Sequence, residues 1–151
     1  MDFEIDLLAV LLATIAHQAL GFLWYAVLFS GTWLRAMGKT KEEIGQGDGP
    51  DATMAFGALL SLASALGIAL LLTFADDPTG ADGIAVVLTL ADDPTVADGI
   101  AVGAVCGIAF AATSTFMISI YEQKKMILAT LYSGYQILGF VIMGAIIGAM
   151  Q

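Results

Sequence analysis

Residues 7–34 read LLAVLLATIAHQALGFLWYAVLFSGTWL, without one Asp, Glu, Lys or Arg. A helix of about 20 apolar residues crosses the hydrocarbon core of a bilayer, so this stretch is long enough to span. The pattern returns three times, since residues 52–75, 99–121 and 126–151 also carry no charge. Four such runs in a chain of 151 residues leave too little polar surface for a soluble domain. The expected fold is an all-α membrane protein, a four-transmembrane-helix bundle forming one domain over 1–151. Its spans are placed at 7–30, 52–74, 99–121 and 127–149, with an Asp-rich outer loop at 75–98.

Composition agrees. The chain is 59% hydrophobic and only 13% charged, against about 25% charged residues in ordinary soluble domains. Mean hydropathy is +0.89. The first six residues, MDFEID, are acidic, whereas a secretory signal peptide opens on positive charge, so the first run is expected to be a retained helix. Cys106 stands alone within the third run and reads as a small packing residue.

The charges are segregated. Arg35, Lys39 and Lys41 follow the first run, and Lys124 and Lys125 follow the third. In a four-span topology all five basic residues therefore share one side. The positive-inside rule makes that side cytoplasmic and leaves both termini on the outer face of a multi-pass cell-membrane protein. With 14 acidic residues and a net charge of −9, the chain lacks the basic footprint of a nucleic-acid binder. Acidic, lysine-poor solvated segments suit a halophilic prokaryote living in high salt. Within the basic loop after the first run, Thr40 to Glu43 spells T-K-E-E, a capping box opening a short helical turn. Gly45, Gly47, Gly49 and Pro50 then break helix.

The outer loop is duplicated. LTFADDPTGADGIAV begins at Leu72, and LTLADDPTVADGIAV begins at Leu88. Two copies are fewer than the three or so that a solenoid needs, so this reads as a local duplication. Its apolar patch, residues 83–91, is too short to span as a helix and is expected to form an outer hairpin or a short interfacial helix. Asp76 and Asp77 recur as Asp92 and Asp93. Calcium would take such oxygens, but the Gly-centred loop pattern of a calcium site is missing and Asp-Pro-Thr equally suits a turn. A solvated acidic loop is expected, with no resident metal and no cofactor.

Polar residues inside hydrocarbon are the usual pointers to function. Here His17, Gln18, Ser64, Thr113 and Gln136 fall near the middle of their runs. They could form a polar layer lining a path, with His17 able to exchange a proton. Equally, His17 and Gln136 could hydrogen-bond across helices and hold the bundle together, which is the favoured reading. No acidic or basic residue lies deep in any run, so neither a membrane carboxylate for proton coupling nor an acid/base pair for hydrolysis is available.

Small residues give a clearer signal. Gly57, Ser61 and Ala65 recur every fourth position, as do Gly103, Gly107 and Ala111, and Gly144 pairs with Gly148. Such stripes let helix backbones approach closely, within the bundle or between protomers. Trp24, Tyr25 and Trp33 at the basic end of the first run, with Tyr132 and Tyr135 of the fourth, make an inner aromatic cluster of the kind that sits at headgroup level.

The first run and its sequel, HQALGFLWYAVLFSGTWLRAMG and then KTKEEI, resemble the DUF1761 family of small membrane proteins. The matching positions are Gly21, Trp24, Tyr25, Phe29, Gly31 and Trp33, with Ser30 standing between Phe29 and Gly31 where the family element has none. The stretch from Thr113 through Glu122 to Tyr135 and Met143 is similar in layout. The resemblance implies a four-helix membrane fold and no assigned activity. The lack of deep charge, the abundance of small residues and the short loops favour a structural or accessory subunit, not an enzyme, that lies in the lipid bilayer and self-associates or joins a larger membrane complex. The alternative is a small oligomeric transporter or channel with a polar midplane path.

Overall fold

The structure, a computed structural model, describes residues 6–44, 50–75 and 95–150, and the side chains of all of these except 50–54, 56 and 72–75. Among the described residues there are helices and turns and no strand. The duplicated aspartates Asp76, Asp77, Asp92 and Asp93 and the patch at 83–91 lie outside them.

Helix α1, Leu7–Phe22, opens on Asp6, whose carboxylate accepts from the backbone N–H of Leu8 at 2.8 Å and of Ala9 at 3.2 Å. A helix start leaves N–H groups without partners, and an N-cap aspartate supplies one. The helix continues as a π-helical stretch, Leu23–Leu28, closed by Phe29 N–H donating to the Trp24 carbonyl at 2.9 Å. The chain bends at Phe29 and resumes as α2, Ser30–Met37. The helical segment Leu7–Leu28 covers nearly all of the stretch expected at 7–30. The wider π turns re-aim the side chains that follow, and the bend turns α2 off the line of α1. Gly38, at φ +70°, ends α2 in the left-handed conformation that glycine adopts without strain. Then comes the short α3, Lys41–Ile44. It is held by the expected capping box: Thr40 N–H donates to Glu43 Oε2 at 2.8 Å, and Glu43 N–H donates to Thr40 Oγ1 at 3.3 Å.

Helix α4 runs Pro50–Ala75. The next begins earlier than residue 99, because Thr95 and Asp98 form a reciprocal capping box. It comprises α5, Val96–Val105, a π-helical stretch, Cys106–Ala112, and α6, Thr113–Tyr121. A tight turn with Gln123 at φ 52° leads to α7, Met126–Met150. Leu7–Leu28, Val96–Tyr121 and Met126–Met150 are long and apolar enough to cross a membrane, and Gly57–Leu71 is a shorter apolar helical stretch within α4. The outward faces carry large apolar side chains such as Phe22 and Phe110, each more than 60% exposed. In water these would be a liability; facing lipid they need no cover.

Helix α7 is the central post. It packs against α1, α4 and the whole α5–α6 stretch, most extensively against α5. Glycines make that contact. A Cβ placed on Gly99 would overlap the Gly144 carbonyl, one on Gly144 would overlap the Gly99 carbonyl, and one on Gly103 would overlap the carbonyl of Phe140. On Gly107 it would stand 2.8 Å from the Ile137 Cα, and on Gly148 2.5 Å from the Thr95 carbonyl oxygen. The stripes of the third and fourth runs therefore face each other within one chain, backbone against backbone. Around this seam lies a core of small and branched residues: Ala9, Val10, Ala13, Ala65, Ile68, Ala69, Val102, Met143 and Ile147. At the opposite, basic end, Lys125 Nζ reaches the Arg35 carbonyl at 3.5 Å, so the two basic loops are neighbours. Glu122 pairs with Lys124 there, and its hydrogen bond and charge hold the ammonium pKa above its ordinary value.

Gly103→Ala is expected to destabilise the protein by about 1–3 kcal/mol, because no side-chain rotation relieves a clash with backbone. Gly67, with nothing within 4 Å of its would-be Cβ, is the control. Gly67→Ala should be neutral or stabilising by up to about 1 kcal/mol through helix propensity. Unfolding of the two variants in mild detergent, followed by circular dichroism, checks both.

Candidate functional site

The midplane polar residues do not form one layer. Thr14, His17, Ser61, Ser119 and Ser133 are the buried polar side chains among the described residues, and His17 is the centre of the most developed contact set. His17 projects from α1 between α4 and α7. Its Nδ1 lies 2.8 Å from Ser61 Oγ on α4. Ser61 Oγ in turn has two acceptors, the Gly57 carbonyl at 2.9 Å and Gln18 Oε1 at 3.2 Å. A hydroxyl has one proton and two lone pairs, so Ser61 joins the imidazole and these oxygens in one cluster, as donor or acceptor to Nδ1 according to the ring's tautomer.

On its other side the imidazole stacks on Tyr135 of α7, with ring centroids 4.9 Å apart and planes 21° apart. Its Nε2 is buried and has no hydrogen-bond partner. That edge abuts Gly139, where a Cβ would stand 2.5 Å from Nε2. Gly139 is thus small because the histidine occupies its side-chain space. One residue of α1 touches two other helices through a hydrogen bond, a ring stack and a close edge contact. The sequence marks His17 and Gln18 as midplane candidates and Ser61 as a polar residue of its run and a member of a packing stripe, but nothing in it marks Gly139. The missed glycine has no partner at four-residue spacing, so no stripe marks it.

The other candidates sit elsewhere. Thr113 is exposed and turns its hydroxyl back to the carbonyls of Ala109 and Phe110. Ser64 bonds the Leu60 carbonyl at 3.1 Å, as hydroxyls in helices do. Ser64 and Gln136 line a crevice of about 900 Å³ between α4, the α5–α6 stretch and α7. The remaining wall is mainly apolar, with Ile68, Val102, Phe110 and Phe140. The crevice runs along the π-helical stretch Cys106–Ala112. His17 is not among its lining residues. Gly57, the remaining glycine of the expected stripes, faces the Gln18 amide, 3.7 Å from its would-be Cβ.

Four of the five aromatic residues, Tyr25, Trp33, Tyr132 and Tyr135, form a connected set, and Trp24 packs apart from it. Tyr25 lies edge-on to Tyr135 at 5.3 Å, beside Trp33 at 5.3 Å and Tyr132 at 6.2 Å, while Trp24 packs on Phe29 at 4.5 Å. Through Tyr135 the set is continuous with His17. The indole nitrogens of Trp24 and Trp33 are buried without hydrogen-bond partners. Among the described residues no three His, Cys, Asp or Glu side chains gather in a way that could hold a metal.

These features define a class, a protein helical throughout its described residues, with helices long and apolar enough to cross a membrane and a buried polar contact, His17 to Ser61, between two of them. The chain belongs to the DUF1761 family, described as a protein of unknown function, which it matches over residues 8–148. No curated protein and no solved structure matches it.

Ser61→Ala is expected to destabilise by about 0.6–2 kcal/mol, the range of interhelical hydrogen bonds in membranes. The double variant His17→Ala/Ser61→Ala should lose little more than His17→Ala alone, since both changes remove one interaction. Gly139→Ala should cost more than Ser61→Ala, because it drives the ring off Tyr135. Denaturant unfolding in detergent measures all four.

Proposed function

We propose that the protein is a multi-pass cell-membrane protein with four spanning helices, α4 supplying the fourth, and with both termini on the outer face. Its role is structural or accessory and non-catalytic: it associates with itself or joins a larger membrane complex. The acidic outer face suits a halophilic host.

The use made of His17 carries this reading. It is the chain's single histidine, the one titratable group near neutrality inside a span. Its hydrogen bond goes to Ser61 and its faces to Tyr135 and Gly139. A conducting or proton-coupled protein would turn it toward water. A path shared by His17, Thr113 and Gln136 also finds no support: the three have a packed interior, the outward face of α6 and the crevice as their respective surroundings. Four helices fit because α4, 26 residues long, extends about 39 Å at 1.5 Å per residue, more than the hydrocarbon thickness. Because the glycine stripes of α5 and α7 are engaged inside the chain, association draws on the apolar outward faces.

Two experiments bear on it. In liposomes, the purified protein is expected to give no ion or solute flux above empty vesicles. A robust flux abolished by His17→Ala would overturn the structural reading in favour of the small-transporter alternative. Extraction from native membranes in mild detergent is expected to recover an oligomer or a complex with other subunits. Recovery as a lone monomer would contradict the accessory role.

A further inference from the structure

At the basic end the bend at Phe29 and the reversal at Gly38 bring α3 beside the π-helical stretch Leu23–Leu28 and the start of α2. A recess of about 310 Å³ is left between them. Its lining includes Tyr25, Ser30, Trp33, Leu34, Lys41 and Ile44. Each polar group in it can donate a hydrogen bond: the Lys41 ammonium, the Trp33 indole N–H, and the Ser30 and Tyr25 hydroxyls. Two of these donors have no ion-paired or hydrogen-bonded acceptor among the described residues. Lys41 is in no salt bridge among the described residues, whose one ion pair is Lys124–Glu122. Trp33 Nε1 is buried with no acceptor, a state that folded proteins rarely tolerate without a ligand or water. Of the carboxylates on the same element, Glu43 is turned to its cap on Thr40, and Glu42 is exposed and held below the ordinary carboxylate range chiefly by hydrogen bonds at its own backbone and Thr40, with the Lys41 charge the smallest cause. Arg35 adds a further cation on α2, its Nε held by the Gly31 carbonyl at 3.1 Å.

A donor-rich recess with a cation and apolar walls fits an acceptor-rich anion. Its depth narrows the choice. It straddles the end of the first span at Leu28, from Tyr25 and Ala26 within it to Lys41 beyond it, and is walled by Trp and Tyr, the residues that sit at headgroup level. The volume lies at the lower end of the roughly 300–1,000 Å³ of small-molecule sites, enough for a headgroup but not for its acyl chains. Exposed Val27 and Leu28 offer those chains an apolar surface beside the opening.

We propose that this recess binds the phosphate of an anionic phospholipid in the leaflet at the basic end of the bundle, with Lys41 supplying charge and Trp33 Nε1–H a hydrogen bond. The proposal needs the chain to lie in a membrane but not the accessory role. The site would be a fixed lipid anchor for the segment from Phe29 to Ile44, pinning α2 and α3 to the surface.

The chain has two tryptophans, so the site carries its own reporter. The full chain with Trp24→Phe, in an uncharged detergent, is titrated with short-chain phosphatidylglycerol, short-chain phosphatidylcholine or inorganic phosphate, reading Trp33 fluorescence. The phosphatidylglycerol response is expected to saturate and to weaken about fivefold with Lys41→Gln, the effect of one cation near an anionic surface. Phosphatidylcholine and inorganic phosphate are expected to give no saturable response over the same range. Equal responses to the two lipids, or undiminished binding by Lys41→Gln, would overturn the site. A response to inorganic phosphate equal to that of phosphatidylglycerol would overturn the lipid assignment. Lys41 is exposed, so its replacement leaves the bundle intact. Should Trp24→Phe fail to fold, native mass spectrometry of wild type against Lys41→Gln, counting retained phosphatidylglycerol, gives the same decision.

Discussion

The close approach of α5 to α7 is the constraint on which the rest of the molecule depends. In lipid, apolar surface gains nothing by leaving the solvent, so helices associate through dispersion and hydrogen bonds that need short distances. Gly99, Gly103 and Gly107 meet Gly144, Phe140 and Ile137 at separations that leave no room for a Cβ. That brings carbonyl oxygens and Cα atoms of the two helices together over several turns. With one side of α7 fixed in this way, its other faces are presented to α1 and α4, and the core from Ala9 to Ile147 closes around them.

His17 is the second lock, and it works because the first places α7. Tyr135 and Gly139 are one helical turn apart on α7, one stacking on the imidazole and the other making room for its edge. Ser61 ties the same ring to α4. A histidine at mid-membrane is costly unless paired, and this one is paired on one nitrogen and tightly packed on the other. Below it the aromatic set continues through Tyr25 to Trp33, linking the middle of the bundle to the recess at its basic end. What α4 does not close is the crevice beside Cys106–Ala112.

Much of this was legible in the sequence, and the remainder was not for definite reasons. Apolar run length announced the long helices because a bilayer imposes a length scale that sequence displays directly. The T-K-E-E box was readable because a cap is a local, four-residue event, and its counterpart T-V-A-D at Thr95 carried the same signal but was absorbed into the duplicated loop. The glycine stripes announced close packing, yet spacing alone does not say which stripe meets which, and the choice between one chain and two protomers stayed open. The polar midplane residues were visible by chemistry but not by direction. His17 is buried and Thr113 exposed, and a one-dimensional reading cannot separate the faces on which they lie. Gly139 has no local signature at all, since its reason for being small is a ring from another helix.

The central claim is that the glycine stripes pack within one chain. Glycine-selective 13Cα labelling and 13C–13C correlation spectroscopy of the full-length protein in bilayers tests it most directly. Cross-peaks between Gly99 and Gly144 and between Gly99 and Gly148 are expected, with intensities per labelled chain unchanged when labelled protein is diluted with unlabelled protein before reconstitution. Absence of these cross-peaks, or their loss on dilution, would contradict the account, the latter by moving the interface between protomers.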